Sequence, residues 1–178
     1  KVILVPLKTE NSALGMLRNL FRSEPYAISK YMSHLVLKKI DKTIQSENFD
    51  LVHVERLHMA YCGKYIKKKY TLPVILRSHN VESVILSRYV KYTANILKKY
   101  FLNIQSKRLY DYEKSIVKYF DKSVMISEVD KCKIQIMNSH IHCEVINPGI
   151  QSIPNNREPA EPKEILFVGA MDWKPNED

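Results

Sequence analysis

Residues 77–80, Arg-Ser-His-Asn, are the densest group of side chains in this sequence that could take part in chemistry. The guanidinium of Arg77 can hold a phosphate or a carboxylate through two parallel hydrogen bonds. The imidazole of His79 can donate a hydrogen bond or act as a base near neutral pH. We therefore predict a site in which Arg77, His79 and Asn80 contact a substrate. The alternative is that Ser78 or Asn80 only caps the next helix and that His79 is an ordinary loop residue.

Other polar or small residues also follow directly after apolar runs. Glu55 follows Val54, Ser127 and Glu128 follow Ile126, and Gly169 follows Val168. Ser127 has the position of a helix N-cap, which accounts for it without a function, although a helix N-terminus also attracts anions. Gly169 could let a phosphate or a sugar approach the backbone, or it could be only a turn glycine.

The elements that must position these residues alternate between strand and helix. Apolar runs predict strands at Val2–Val5, Phe49–Val54, Pro73–Leu76, Lys122–Ile126, Cys143–Ile146 and Ile165–Val168. Helical patterns lie at about 27–44, 57–69, 81–119 and from Ser127, with a break predicted near Tyr92-Thr93. This alternation predicts an α/β fold with a Rossmann-like parallel sheet and helices on both faces. In such sheets, ligands bind beyond the carboxyl ends of the strands, which is where the polar groups lie.

Composition limits the classes of function. The sequence has 178 residues, 45% of them apolar, and no apolar run long enough to span a bilayer. The formal net charge of +9 predicts an anionic partner. Three widely spaced cysteines are consistent with reduced thiols in the cytoplasm. The Cys and His residues at 132–143 match no standard zinc spacing, so we predict no metal site.

The sequence also predicts domain boundaries and one long basic helical segment. We expect a first domain over residues 1–150, a proline-rich linker over 151–163, and the start of a second domain over 164–178. On the long helical segment we expect one apolar face, formed by Leu97, Phe101, Ile104, Tyr112, Ile116 and Tyr119. Its many lysines are most often a solvated surface, but interleaved tyrosines leave peripheral contact with an anionic membrane as an alternative.

Five strings, in this order, resemble retaining glycosyltransferases of family 4: FDLVHVERLHMA, LRSHNVES, YEKSIVKYFDKSVMISEVD, VINPGI and ILFVGAMDWKPNED. The likeness is closest to members that act in cell-surface polysaccharide and lipopolysaccharide assembly, and it extends over about residues 24–178. It implies the GT-B architecture, in which two Rossmann-like domains face a cleft. The N-terminal domain binds mainly the acceptor, and the C-terminal domain binds mainly the nucleotide sugar.

The resemblance also implies roles for individual residues. His79 matches a histidine that lines the cleft near the transferred sugar, and Gly169 matches a glycine near the donor phosphates. Ser127 and Glu128 match the start of the helix after the strand that closes the N-terminal half. No cofactor and no metal ion are expected, because basic side chains and a helix N-terminus stabilise the leaving diphosphate.

The function expected from this resemblance is transfer of a hexose from a nucleotide sugar to a saccharide or lipid-linked acceptor, in the cytoplasm or at the inner face of the membrane. The family's first strand, glycine-rich loop and first helix have no counterpart here, and its nucleotide-sugar residues would lie beyond Asp178. We therefore expect little transferase activity from this chain alone. The alternative is a non-catalytic, basic Rossmann-like module that binds nucleic acid or anionic lipid. The absence of a recognised nucleic-acid motif disfavours nucleic acid as a partner.

Overall fold

The computed structural model of the chain describes residues 1–149, and Lys1–Pro148 form one compact unit. Four strands make a single sheet: β1 (Val52–Glu55), β2 (Val74–Ser78), β3 (Lys122–Met125) and β4 (Cys143–Val145). The strands lie in chain order, and every neighbouring pair is parallel. This confirms the predicted α/β class with a Rossmann-like parallel sheet. The proposed linker, the second-domain segment and Gly169 lie outside the described residues.

Helices flank the sheet. They are α1 (Ala13–Asn19), α2 (Tyr26–Ser29), α3 (His34–Ser46), α4 (Ala60–Lys69), α5 (Glu82–Tyr92), α6 (Ile96–Ile116) and α7 (Glu128–Met137), with short 3₁₀ turns at Leu57–Met59 and Val117–Tyr119. Several begin at a polar side chain that accepts a backbone N–H. Asn95 accepts the N–H of Lys98, and Ser127 accepts that of Asp130. Ser127 is therefore the N-cap that the sequence predicts.

The core lies between the sheet and the helices α4 and α6. Side chains alternate across a strand, so Val54, Val74 and Leu76 face this core. Leu109 and Ile116 of α6 contribute to the same cluster. The intervening residues of β1 and β2, among them Glu55 and Arg77, lie on the opposite face. The two strands thus present apolar residues to α4 and α6, and place Glu55 and Arg77 on the other side together with His53 and Ile75.

Helix α4 approaches β1 closely because residue 63 is glycine. A Cβ atom at Gly63 would lie 2.4 Å from Cε1 of Phe120 and 3.1 Å from a methyl group of Val54. Both neighbours belong to the core cluster. The absence of a side chain at this position therefore sets the distance between α4 and the strand that ends at Glu55.

Three predictions about the elements were wrong. Val2–Val5 is not a strand, because Val5 and Leu7 pack on the cluster of Val36, Tyr61 and Cys62 without pairing to the sheet. The helical segment predicted over 27–44 is interrupted between α2 and α3, where Ser33 caps the second helix. Leu97 does not belong to a buried face, since 83% of it is exposed. The break predicted near Tyr92-Thr93 is confirmed.

Candidate functional site

Three side chains from the ends of neighbouring strands meet at the carboxyl edge of the sheet. They are Glu55, Arg77 and His79, and we name them the strand-end site. The carboxylate oxygen Oε1 of Glu55 pairs with Nε2 of His79 and lies 3.7 Å from Nη1 of Arg77. Its other oxygen, Oε2, lies 3.5 Å from Nε2 of His53. One carboxylate is therefore surrounded by three basic groups.

The register of the sheet explains why these residues meet. Glu55 and Arg77 are direct partners on the adjacent parallel strands β1 and β2, so their side chains project from the same face. His53 lies two residues before Glu55 and therefore on that face as well. His79 follows the last residue of β2, and its ring turns back over the end of β1. All the site side chains are partly exposed, so a ligand can reach them.

The contact with Glu55 determines what His79 can do. With a carboxylate beside it, Nε2 carries the proton and donates the hydrogen bond, which leaves Nδ1 as an acceptor in the neutral ring. Within residues 1–149, Nδ1 has no hydrogen-bond partner. The ring can therefore accept a hydrogen bond from a hydroxyl group of a ligand, with its orientation held by Glu55.

Arg56 extends the basic part of the site and has a strained backbone. Its φ angle is +70°, the one positive φ of a non-glycine residue in the described part of the chain. The N–H of Arg56 donates to the carbonyl of Arg77 at 2.8 Å, which holds this turn against β2. Such strain is often found at functional sites. The predicted site residues did not include Arg56; its place directly after a strand end was the one available signal.

A second basic group lies beside the 3₁₀ turn that follows Arg56. The ring of His58 lies 4.9 Å from that of Tyr31, and Nζ of Lys30 lies 5.7 Å from the same Tyr31 ring. Burial lowers the pKa of His58, and the charges of Lys30 and Arg56 lower it further. The carboxyl end of β1 thus lies near two cations, Arg56 and Lys30, and near a histidine whose pKa they lower.

Glu113 of α6 supports the loop that carries His79. It is 1% exposed, and its two carboxyl oxygens accept the backbone N–H groups of Glu82 and Ser83 at 3.0 and 3.1 Å and the Ser83 hydroxyl. Burial raises the pKa of Glu113 to about 7, although these hydrogen bonds oppose the rise. Glu113 thereby holds the first turn of α5, three residues after His79. A charged residue among the apolar positions Leu109 and Ile116 was the sequence signal for it.

The other predicted site residues are placed separately. Asn80 lies in the loop after β2 and makes no side-chain hydrogen bond within the described residues. Ser127 caps α7 and also donates to Oδ2 of Asp130 at 3.0 Å. Glu128 is the first residue of α7 and lies 3.6 Å from Lys131. The structure thus brings together Glu55, Arg77 and His79, and no contact joins Ser127 or Glu128 to them.

Comparisons with known proteins assign this chain to no family. No protein-family model matches the chain, and no curated protein and no solved structure matches it.

Within residues 1–149, no group of three His, Cys, Asp or Glu residues is arranged to hold a metal ion. No helix in the same range is both long and apolar enough to cross a membrane.

Proposed function

We propose that this chain is the acceptor-side part of a retaining glycosyltransferase that transfers a hexose from a nucleotide sugar to a saccharide or lipid-linked acceptor. Cell-surface glycan synthesis, with the reaction in the cytoplasm, is the process that the sequence resemblance favours. The observation that supports the proposal best is the pairing of His79 with Glu55 at the carboxyl edge of a parallel sheet. Ligands of such sheets bind at this edge.

Each member of the strand-end site has a role in this proposal. His79 accepts a hydrogen bond from a hydroxyl group of the donor sugar through Nδ1, while Glu55 fixes the ring. Arg77 supplies positive charge close to the place where the diphosphate leaves, and so stabilises the negative charge that develops there. Asn80 enters the proposal as a substrate-binding residue through its place after β2 in the sequence. Ser127, Glu128 and Gly169 enter it through their places after apolar runs and through the sequence resemblance. No metal ion and no cofactor are part of the proposal.

A non-catalytic module that binds nucleic acid or anionic lipid is the second candidate. It rests on the net charge of +9 and on the exposed lysines of the helices. For nucleic acid the expected signature is a binding constant that falls steeply with salt. The strand-end site disfavours this function, since its carboxylate lies among the basic groups that a phosphate backbone would contact.

Saturation-transfer NMR on the full 178-residue chain tests the proposal, because it detects weak ligands. We expect UDP-glucose or GDP-mannose to show saturation at the sugar-ring protons. The variant His79→Ala should lose most of that signal, because the hydroxyl acceptor is removed. His140→Ala is the matched control, since His140 is exposed on the loop before β4 and contacts none of the strand-end residues.

Two results would contradict the proposal. One is equal saturation in the wild type and in His79→Ala. The other is no saturation by any nucleotide sugar together with salt-dependent binding of a single-stranded oligonucleotide, which would favour the second candidate.

A further inference from the structure

The hairpin formed by α5 and α6 ends in a group of large apolar side chains that project into solvent, and we name residues 92–100 the hairpin tip. Tyr92 is 77% exposed, Ile96 82%, Leu97 83% and Tyr100 71%. Single exposed apolar residues are common on protein surfaces and need no explanation. Four of them within nine residues form a patch, and patches of this kind mark sites of interaction.

Internal hydrogen bonds define the conformation of the tip. Thr93 is buried, and its hydroxyl donates to the carbonyl of Tyr89 at 2.8 Å. Oδ1 of Asn95 accepts the N–H of Lys98 at 2.9 Å and so caps α6. The apolar side chains are therefore displayed by a well-formed turn between two packed helices.

The exposed apolar residues of α6 share one side of the helix. Successive residues are rotated by about 100°, so Ile96, Leu97 and Tyr100 fall within an arc of about 100°. Lys99 lies about 60° to one side of Ile96, and Lys107, about three turns after Ile96, lies about 20° to its other side. Lys98 points elsewhere, since its Nζ donates to the hydroxyl of Tyr89 at 2.8 Å.

The part of the hairpin nearest its tip carries charge of one sign. Residues 83–110 contain six Lys and Arg side chains and no Asp or Glu. The rest of the chain mixes both signs: β1 ends at Glu55, and the helix α7 begins with Glu128 and Asp130. Glu82, Asp111 and Glu113 lie at the other end of the two helices. An anionic surface that contacts the hairpin within residues 83–110 would therefore meet no acidic side chain.

We propose that the hairpin tip docks on the surface of an anionic lipid bilayer. Ile96 and Leu97 insert between the lipid headgroups, Tyr92 and Tyr100 lie at the headgroup level, and Lys91 and Lys99 pair with lipid phosphates. Aliphatic side chains at the centre of the patch favour lipid over nucleic acid, whose bases stack on aromatic rings. This inference rests on the hairpin alone and does not depend on the proposed function.

Co-sedimentation of the full chain with vesicles tests the proposal. We expect binding to vesicles of equal parts phosphatidylglycerol and phosphatidylcholine at 0.15 M salt, and far weaker binding to pure phosphatidylcholine. The double variant I96S/L97S should lower the partition coefficient by at least roughly tenfold, because it removes the inserted apolar area. The double variant K91Q/K99Q should lower it by roughly thirtyfold on the anionic vesicles, given the usual contribution of each lysine near such a surface.

Matched controls lie elsewhere on the surface. Ile136→Ser removes an equally exposed apolar side chain from α7, where 85% of Ile136 is accessible. K38Q/K42Q removes two exposed lysines, spaced four residues apart, from α3. Both should bind the anionic vesicles within about twofold of the wild type, apart from the small loss that any lowered net charge brings.

Several outcomes would overturn the proposal. They are failure of the wild type to bind anionic vesicles, equal binding to both vesicle types, and wild-type binding by I96S/L97S. A single-stranded oligonucleotide that binds through Lys91 and Lys99 while vesicles do not would assign the surface to nucleic acid. Circular dichroism and the thermal midpoint of each variant verify that it is folded. We expect folding to be retained because the substituted positions are exposed.

Discussion

The strand-end site and the hairpin tip differ in how their side chains are satisfied. Arg77 and His79 both contact the carboxylate of Glu55, whereas Ile96 and Leu97 have no apolar neighbours to cover them within residues 1–149. The first region is built like a site that positions groups for a small polar ligand. The hairpin tip presents exposed apolar side chains beside lysines, as surfaces that bind a larger partner do. We therefore expect substitutions near the strand-end site to change the stability of the fold, and substitutions at the hairpin tip to change binding to lipid vesicles.

The largest effect on stability is expected from Glu113→Ala. This variant leaves the buried N–H groups of Glu82 and Ser83 without a partner and opens a cavity beside the turn that carries His79. We expect the free energy of unfolding to fall by about 3 kcal/mol in urea titrations. A loss below about 0.5 kcal/mol would show that Glu113 does not hold this end of α5. Vesicle binding by the hairpin tip should survive wherever the variant is folded.

The pH dependence of stability tests the same carboxyl group. The pKa of Glu113 is about 7 in the folded chain and near 4.5 in the unfolded chain, so the folded state binds the proton more tightly. This contribution to stability is therefore fully present below pH 4.5 and is lost as the pH rises through about 7. Urea titrations across this range should show a downward slope that is smaller in Glu113→Gln. Identical slopes in both proteins would contradict the assignment.

Gly63→Ala should act on the packing of α4 against β1, the strand that ends at Glu55. The added methyl group overlaps the Phe120 ring and so pushes α4 away from β1. We expect a loss of about 2 kcal/mol in the free energy of unfolding, as is usual for overpacking. Gly15→Ala is the control, because its new Cβ would lie 3.2 Å from the hydroxyl oxygen of the Tyr26 side chain, which can shift. Equal stability changes in the two variants would refute close packing as the reason for Gly63.

Glu55→Gln separates the positioning role of this residue from stability. Its ion pairs are partly exposed, so the free energy of unfolding should change by less than about 1 kcal/mol. His79 loses the carboxylate that fixes its ring, and saturation transfer from nucleotide sugars should weaken towards that of His79→Ala. A variant that keeps the full wild-type signal would show that Glu55 does not orient His79.

The smallest effect on stability is expected at the hairpin tip. The substitutions in I96S/L97S replace side chains that are more than four-fifths exposed, so the free energy of unfolding should stay within about 0.5 kcal/mol of the wild type. A thermal midpoint lowered as far as in Gly63→Ala would mean that these residues pack against something. The contrast between the two regions would then fail.

Much of the fold was predictable because buried strands need apolar residues in short runs. Four of the predicted strands form the sheet, with no bound shifted by more than three residues. The break between α5 and α6 was predicted from Tyr92-Thr93. The strand prediction at Val2–Val5 failed because an apolar run does not specify hydrogen-bond partners. Val2 and Leu4 are exposed, and Val5 packs beside α3 without pairing to the sheet. The prediction for Leu97 failed because this residue has the spacing of the apolar helix face in the sequence. In the folded chain, the first turn of α6 extends past the elements that pack on the rest of the helix.

The candidate site was predictable in part. Strand ends indicated Glu55 on one strand and the group of Arg77 and His79 on another, and parallel strands share one carboxyl edge. Their mutual contacts needed the register of β1 against β2, which the sequence pattern does not specify. Glu113 and Arg56 were missed because a buried carboxyl group and a positive φ depend on neighbours far away in the chain.

By itself, the sequence determined the α/β class, the strand ends at which polar residues gather, and the basic character of residues 83–110, because these follow from local pattern and composition. Tertiary structure alone decided that Glu55 orients His79, that Glu113 holds the start of α5, and that Ile96 and Leu97 stay exposed. The physical reason is the same in each case: a side chain's partners and its exposure are set by elements that are distant in sequence and adjacent only after folding.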